Sequence, residues 1–329
     1  MKAEPPKEQE LRKVFCEIVQ GFTRLEYGGV NLYIKHLTQH DQYLLEERKD
    51  EVFNKAKKKG LPTEKEALQT LIEGDVWSQE EEDTITETQS YVDNLMDTKS
   101  NLIIPSQIND INKDIDEATK KLEELKGKKQ SMLTQTCEGY AQIKSNDYSI
   151  YLCLYKDPEL EKKFISWEKF GELTKPELSD LLTNYTEASS HLTLTNIKFL
   201  AISPIFSLYY NLTGGDSIHD FFKKPLPSLS FYQLNLLNYG KVLHSILENV
   251  EGIPEEIKKD PDDLLSYAES KRRTKDVVEK SKDKQGFSVM GATKKDMDEM
   301  GVSDEVSLSP FELAKNKGSL TLEDFQNFS

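Results

Sequence analysis

The sequence predicts an α+β protein that is mainly helical, on three observations. Ile108, Ile111, Ile115, Ala118, Leu122, Leu125, Lys129 and Met132 keep an unbroken 3-4-3-4 spacing, and all but Lys129 are apolar. Such a seam marks a long helix that buries a narrow stripe against a partner helix. Second, Thr38/Asp41, Thr63/Glu66, Ser78/Glu81, Thr174/Glu177 and Ser230/Gln233 have the capping-box spacing that satisfies orphan amides at helix N-termini. Third, Gly28-Gly29 separates two alternating runs, which is the signal of a tight β-hairpin. The expected architecture is a small antiparallel N-terminal sheet, a long antiparallel helical hairpin, a helical core domain and a poorly structured C-terminal tail.

Taken in order, Val14, Cys16 and Ile18 alternate with Phe15, Glu17 and Val19, so a first strand is expected there. Phe22–Tyr27 and Val30–His36 complete a three-stranded meander. The caps place helices at about 39–58, 64–73, 79–103, 106–143, 175–191 and 229–250. Ile85, Val92, Leu95 and Leu102 form a stripe that matches the seam, and Ile103-Ile104-Pro105 turns the chain between them, because proline lacks an amide donor and disfavours helix before it. The two arms would be ~39 and ~54 Å long at 1.5 Å per residue. The strongest seam positions are Ile108, Ile111, Ile115, Leu122 and Leu125. Lys129, and Lys99 on the other arm, interrupt the stripe, which suits an intramolecular hairpin better than an oligomerising coiled coil.

Tyr148–Tyr155 is rich in aromatic and branched residues and reads as a strand. Lys163–Ser166 is a short partner after the Asp157-Pro158 turn. With strands on both sides of it in sequence, the arm reads as an insertion in one α+β body. The expected divisions are 1–76, 77–145, 146–270 and 271–329. In the last of these, a charged run from Lys271 to Lys284 precedes scattered apolar islands, and a small final helix is capped by Thr321 and Asp324.

Composition narrows the function classes. The chain has 329 residues, 36% hydrophobic and 31% charged, with a net charge of -15 and a mean hydropathy of -0.63. An acidic balance argues against a nucleic-acid backbone binder, which needs a surplus of Lys and Arg. The one basic cluster, Lys55–Lys59, sits before Gly60, where cations favour the negative end of a helix dipole. Three cysteines at non-ligand spacing read as free thiols of a reducing cytoplasm. The most apolar run, Phe199–Tyr210, is broken by Ser203-Pro204 and too short for a membrane span. The expected location is a cytoplasm (the host's if the protein is viral) or a virion.

No phosphate loop, dinucleotide fingerprint or nucleophile elbow occurs. Of His36, His40, His191, His219 and His244, only the first two are close, and no acidic or Cys partner stands at zinc spacing. The expectation is a protein that is not an enzyme and needs no cofactor or metal. Gly214-Gly215-Asp216-Ser217 offers a turn and a cap but is weak as a phosphate loop, and an enzyme with an unrecognised site around His219 and Asp220 is the outlying alternative.

The densest apolar stretch spans 193–250. It reads first as the main helical core and second as a groove for a partner helix. Phe206, Tyr209, Phe221, Phe222, Tyr232, Leu236, Tyr239 and Leu243 are the candidate partner-binding residues.

Three stretches carry a resemblance. They are Tyr33–Thr38 followed by a charged helix and Gly60–Glu66, the heptad arm itself, and Phe221–Leu226 running into Phe231–Gln233, Tyr239-Gly240 and Gly291–Asp296. In this order they resemble structural and morphogenesis proteins of large contractile-tailed bacteriophages, nearest to the baseplate-hub and tail-assembly-chaperone group. The resemblance implies a non-enzymatic chaperone-like factor that binds other virion proteins, such as the tape measure or baseplate components. The 193–250 region would then be its client surface. A scaffolding component that self-associates through the arm is the alternative.

Overall fold

In the computed structural model, residues 5–102, 104–213 and 221–281 are described. The protein is mainly helical with one small three-stranded antiparallel sheet, and it divides into two compact units, Met1–Ala67 with Thr134–Leu265 and Leu68–Leu133 with Ser266–Ser329.

The first unit begins with helix α1 (Glu8–Gln20), where a strand was expected. Its buried residues Leu11, Val14, Phe15 and Ile18 follow i, i+3, i+4, i+7, so the short alternation of Val14, Cys16 and Ile18 was a fragment of a helical stripe. Gly21 ends the helix with φ 84°, the left-handed conformation that glycine adopts without steric cost. Strands β1 (Phe22–Tyr27) and β2 (Val30–Lys35) then pair antiparallel from Phe22↔Lys35 to Tyr27↔Val30. Gly28 and Gly29 both have positive φ, 57° and 76°, as a two-residue primed turn requires.

Helix α2 (Gln39–Lys58) packs along α6 (Cys137–Cys153). The expected 106–143 helix is broken in two, ending at Met132 and restarting at Cys137. Thr136 starts α6 by accepting from the Gly139 amide at 3.1 Å. The expected strand at Tyr148–Tyr155 is helical as far as Cys153, and β3 is Leu154–Tyr155 alone. Its residues are buried from several sides, which erases the one-sided periodicity that would have announced a helix. Those two residues nevertheless join the N-terminal sheet beside β2, and Tyr155 bridges to Lys163.

Helices α7 (Trp167–Gly171), α8 (Lys175–Ser189), α9 (Leu194–Ile202), α10 (Pro204–Leu212) and α11 (Phe231–Asn249) complete this unit. One core lies under the sheet and includes Leu25, Leu32, Ile34, Cys153, Leu154 and Leu181. Around α9 pack α1, α10 and α11, with Ile18, Ile197, Leu200 and Leu236 almost fully buried. All five expected capping pairs form. Helix α3 (Glu64–Glu73), started by Thr63 and Glu66, runs across the division between units. Cys16, Cys137 and Cys153 are free thiols.

The second unit contains the arm, α4 (Gln79–Asn101) packed on α5 (Pro105–Met132). Val92, Ala118 and Leu122 are buried, while Ile85, Leu95, Leu102, Ile108, Ile111, Ile115 and Leu125 are half-buried. Polar bonds set the antiparallel register: Lys126 donates to Gln89 at 2.8 Å and Lys129 to Glu82 at 2.7 Å. The interrupting Lys129 is thus paired across the seam. Glu82 also accepts from the indole of buried Trp77 at 2.8 Å, which ties the base of the arm together. Helix α12 (Pro261–Ser281) begins with Pro261, whose missing amide costs nothing in a first turn, and continues through a stretch expected to belong to the tail. Its Arg273 donates to the Lys99 and Leu102 carbonyls at 2.9 and 2.8 Å, adding a side-chain cap at the end of α4, where the Lys99 carbonyl also accepts from the Leu102 amide. The remaining tail, the Thr321/Asp324 cap and the Gly214–Asp220 segment lie outside the described residues.

Candidate functional site

Ser203 is both the last cap of α9 and the first cap of α10: its hydroxyl donates to the Leu200 carbonyl at 2.7 Å and accepts from the Phe206 amide at 3.4 Å. Pro204 cannot supply an amide to continue α9, so the chain bends there and sends α10 off in a new direction. This bend decides which aromatic side chains face inward.

Of the eight candidate partner-binding residues, Phe206, Phe222, Leu236 and Leu243 are buried. Phe206 on α10 meets α11 at Gly240 and His244, and the burial of all four corrects their assignment to a surface. Phe221, Tyr232 and Tyr239 are half-buried. Phe221 packs at a tilt against Phe206 and edge-on against Phe222, with ring centroids 5.7 and 4.8 Å apart. Tyr232 sets its edge on His36 at 4.9 Å, and Tyr239 lies 5.5 Å from the Lys198 ammonium. Tyr209 alone of the eight is exposed, at 48%.

It is joined on α10 by two residues that the sequence did not single out, Leu208 at 59% and Leu212 at 74% exposed. Leu208 and Leu212 stand four apart and so share one helical face, with Tyr209 beside them. The Tyr209 ring packs 5.1 Å from Phe15, which gives this outward face a fixed footing on α1. The available signal was the i, i+4 pair, which was indistinguishable in sequence from the inward-facing positions around it.

A second constellation joins residues far apart in the chain. The Thr23 hydroxyl donates to Glu17 Oε2 at 2.9 Å and lies 3.0 Å from His36 Nε2. His191 Nε2 stands 2.7 Å from the same Glu17 oxygen. Since Thr23 gives its proton to Glu17, it accepts from His36 Nε2–H, which makes Nδ1 the bare acceptor nitrogen. Thr23, Glu17 and His36 are all buried, so the cluster links α1 to β1 and to the β2 end within the interior. Burial, followed by the fields of His191 and Lys224, holds the His36 imidazole down from 6.5 to about 3.

Between about 3 and 6.5 the unfolded chain binds a proton at His36 that the folded one does not. This share of stability is therefore complete above 6.5 and is lost as pH falls through that window. From pH 6.5 to 5, the wild type should lose roughly 1.5 kcal/mol more than His36→Gln does. Urea midpoints at both pH values measure this, and equal losses would contradict it.

The third polar contact is between Ser207 Oγ and His244 Nε2, at 3.3 Å. Ser207 already donates to the Ser203 carbonyl at 2.9 Å, so His244 is the donor and the pair pins α10 to α11. Among the described residues no single helix is long and apolar enough to cross a membrane, and no group of three or more His, Cys, Asp or Glu could hold a metal ion. No family model matches the chain, nor does any curated protein or solved structure.

Proposed function

We propose that this protein is a non-enzymatic assembly factor that binds an apolar helical segment of another protein through the outer face of α10. The supporting observation is the exposure of Leu208, Tyr209 and Leu212 on one nine-residue helix, in a chain that otherwise has 31% charged residues. Water-exposed side chains of this size gain from burial against a partner at roughly 25 cal/mol per Å² of apolar surface. An apolar stripe on a client helix is the complementary shape. The client implied by the resemblance to phage tail-assembly proteins is a tape-measure helix, which must be kept from aggregating until the tail tube forms around it.

The test is co-expression with a helical tape-measure fragment from a contractile-tailed phage. The wild type is expected to raise the soluble fraction of the fragment and to co-purify with it. Leu208→Asp combined with Leu212→Asp, two changes at exposed positions, should abolish both effects while leaving the circular dichroism unchanged. Equal rescue by the double variant, or none by the wild type, would contradict the proposal.

A further inference from the structure

The first unit contains a cleft of about 360 Å³ between α2, α6 and α7. Arg48, Lys55, Lys59 and Lys144 line it together with Tyr140 and Trp167, and no carboxylate is among its lining residues. In a chain with a net charge of -15, four cations converging on one concavity run against the overall balance. The helix-dipole reading explains why lysines gather at the end of α2, but it does not account for Arg48, three turns earlier, or for Lys144 on another helix.

The arrangement has a direction. Arg48, Val52, Lys55, Ala56 and Lys59 form one stripe along α2, which at 1.5 Å per residue extends roughly 16 Å. At one end the Arg48 guanidinium lies 5.7 Å from the centroids of both Trp167 and Tyr148, and Trp167 is itself stacked on Phe170. These contacts hold a rigid wall of aromatic and guanidinium planes. Along the floor are the apolar Val52, Ala56 and Leu61, and Tyr140 is 41% exposed. Lys55 and Lys59 stand at the far end. The neighbouring carboxylates are Glu51, 2.9 Å from Arg48 and 3.7 Å from Lys55, and Asp147, 2.9 Å from Lys144. Both side chains of the Lys55–Glu51 pair are more than half exposed and such a pair is weak, so an incoming polyanion can displace it, whereas Arg48 and Asp147 are half-buried in theirs.

We infer that this cleft binds a nucleoside polyphosphate, with its base against Tyr140 and the Arg48–Trp167 wall and its phosphates on Lys55 and Lys59. Planar bases stack on aromatic rings and on guanidinium planes. Ammonium groups serve as point charges for phosphate. The length of the stripe suits a base and a phosphate chain laid end to end. This site is separate from the α10 face and stands or falls independently of it.

Titration calorimetry of the full chain with ATP tests the inference, with adenosine, inorganic tripolyphosphate and a short single-stranded RNA as comparison probes. Saturable ATP binding is expected below about 1 mM, weakened about tenfold or more by Tyr140→Ala and by Lys55→Glu with Lys59→Glu. Adenosine and tripolyphosphate should each bind more weakly than ATP. A circular dichroism spectrum identical to wild type confirms that each variant is folded, and these positions are exposed enough to tolerate change. No saturation by about 5 mM ATP would overturn the inference. Tripolyphosphate binding as tightly as ATP, with no loss in Tyr140→Ala, would reduce the cleft to a charge patch and also overturn it. RNA that competes with ATP and binds more tightly would replace the small ligand with a nucleic acid.

Discussion

Phe206→Ala is expected to destabilise the first unit by about 3–5 kcal/mol, the range for removing a fully buried phenyl ring. Phe206 has no solvent exposure, and its ring lies 5.5 Å from Tyr210, 5.7 Å from Phe221 and 6.1 Å from His244. Its position also explains Gly240 on α11. A Cβ on Gly240 would come within 2.6 and 2.7 Å of two Phe206 ring carbons, closer than carbon atoms approach. Gly240→Ala should therefore cost about 1–3 kcal/mol by overpacking, outweighing the gain of roughly 1 kcal/mol that alanine brings to a helix interior. In the Phe206→Ala background the clash is gone, so adding Gly240→Ala should be neutral or stabilising. Urea denaturation of the four proteins measures the coupling. Strictly additive costs would mean that the two residues do not meet.

Leu122→Asp should have the other large effect, at about 3 kcal/mol or more, because it replaces buried apolar surface with a carboxylate lacking a partner. The pairs Lys126–Gln89 and Lys129–Glu82 put Leu122 opposite Val92, and both are buried. The expected readout is loss of helical circular dichroism as the arm melts, with the molecule sedimenting at the same mass. A shift from a larger species to a smaller one would instead show that the seam joins two chains and would favour the scaffolding alternative. Within one chain α4 already covers the stripe of α5, so little of that seam remains for a second copy.

How much of this was legible in the sequence depended on whether the deciding interaction was local. Capping pairs such as Ser78/Glu81 and Ser230/Gln233 act over three residues, and the five that fall among the described residues form. The Gly28-Gly29 hairpin is equally local. Helix α1 was misread because three alternating residues fit a strand as well as they fit part of a helix, and the deciding positions, Leu11 and Ile18, lie a full two turns apart. Helix α6 was misread because Ile150, Leu152 and Cys153 are buried on more than one side, so its pattern carries no period. At the candidate surface, sequence located the right region but not the right residues. Which of Phe206 and Leu208 faces inward is decided by the bend at Ser203-Pro204, not by hydrophobicity. The cleft was legible only as Lys55–Lys59, because Lys144 and Trp167 reach it through tertiary packing.

Amide hydrogen exchange on the protein with and without a bound tape-measure helix fragment tests directly whether α10 is the client-binding face. The proposed function predicts new protection of the 205–212 amides and of the α1 segment that carries Phe15, with the arm at 79–132 unchanged. Protection confined to the arm, with α10 exchanging as in the free protein, would contradict it.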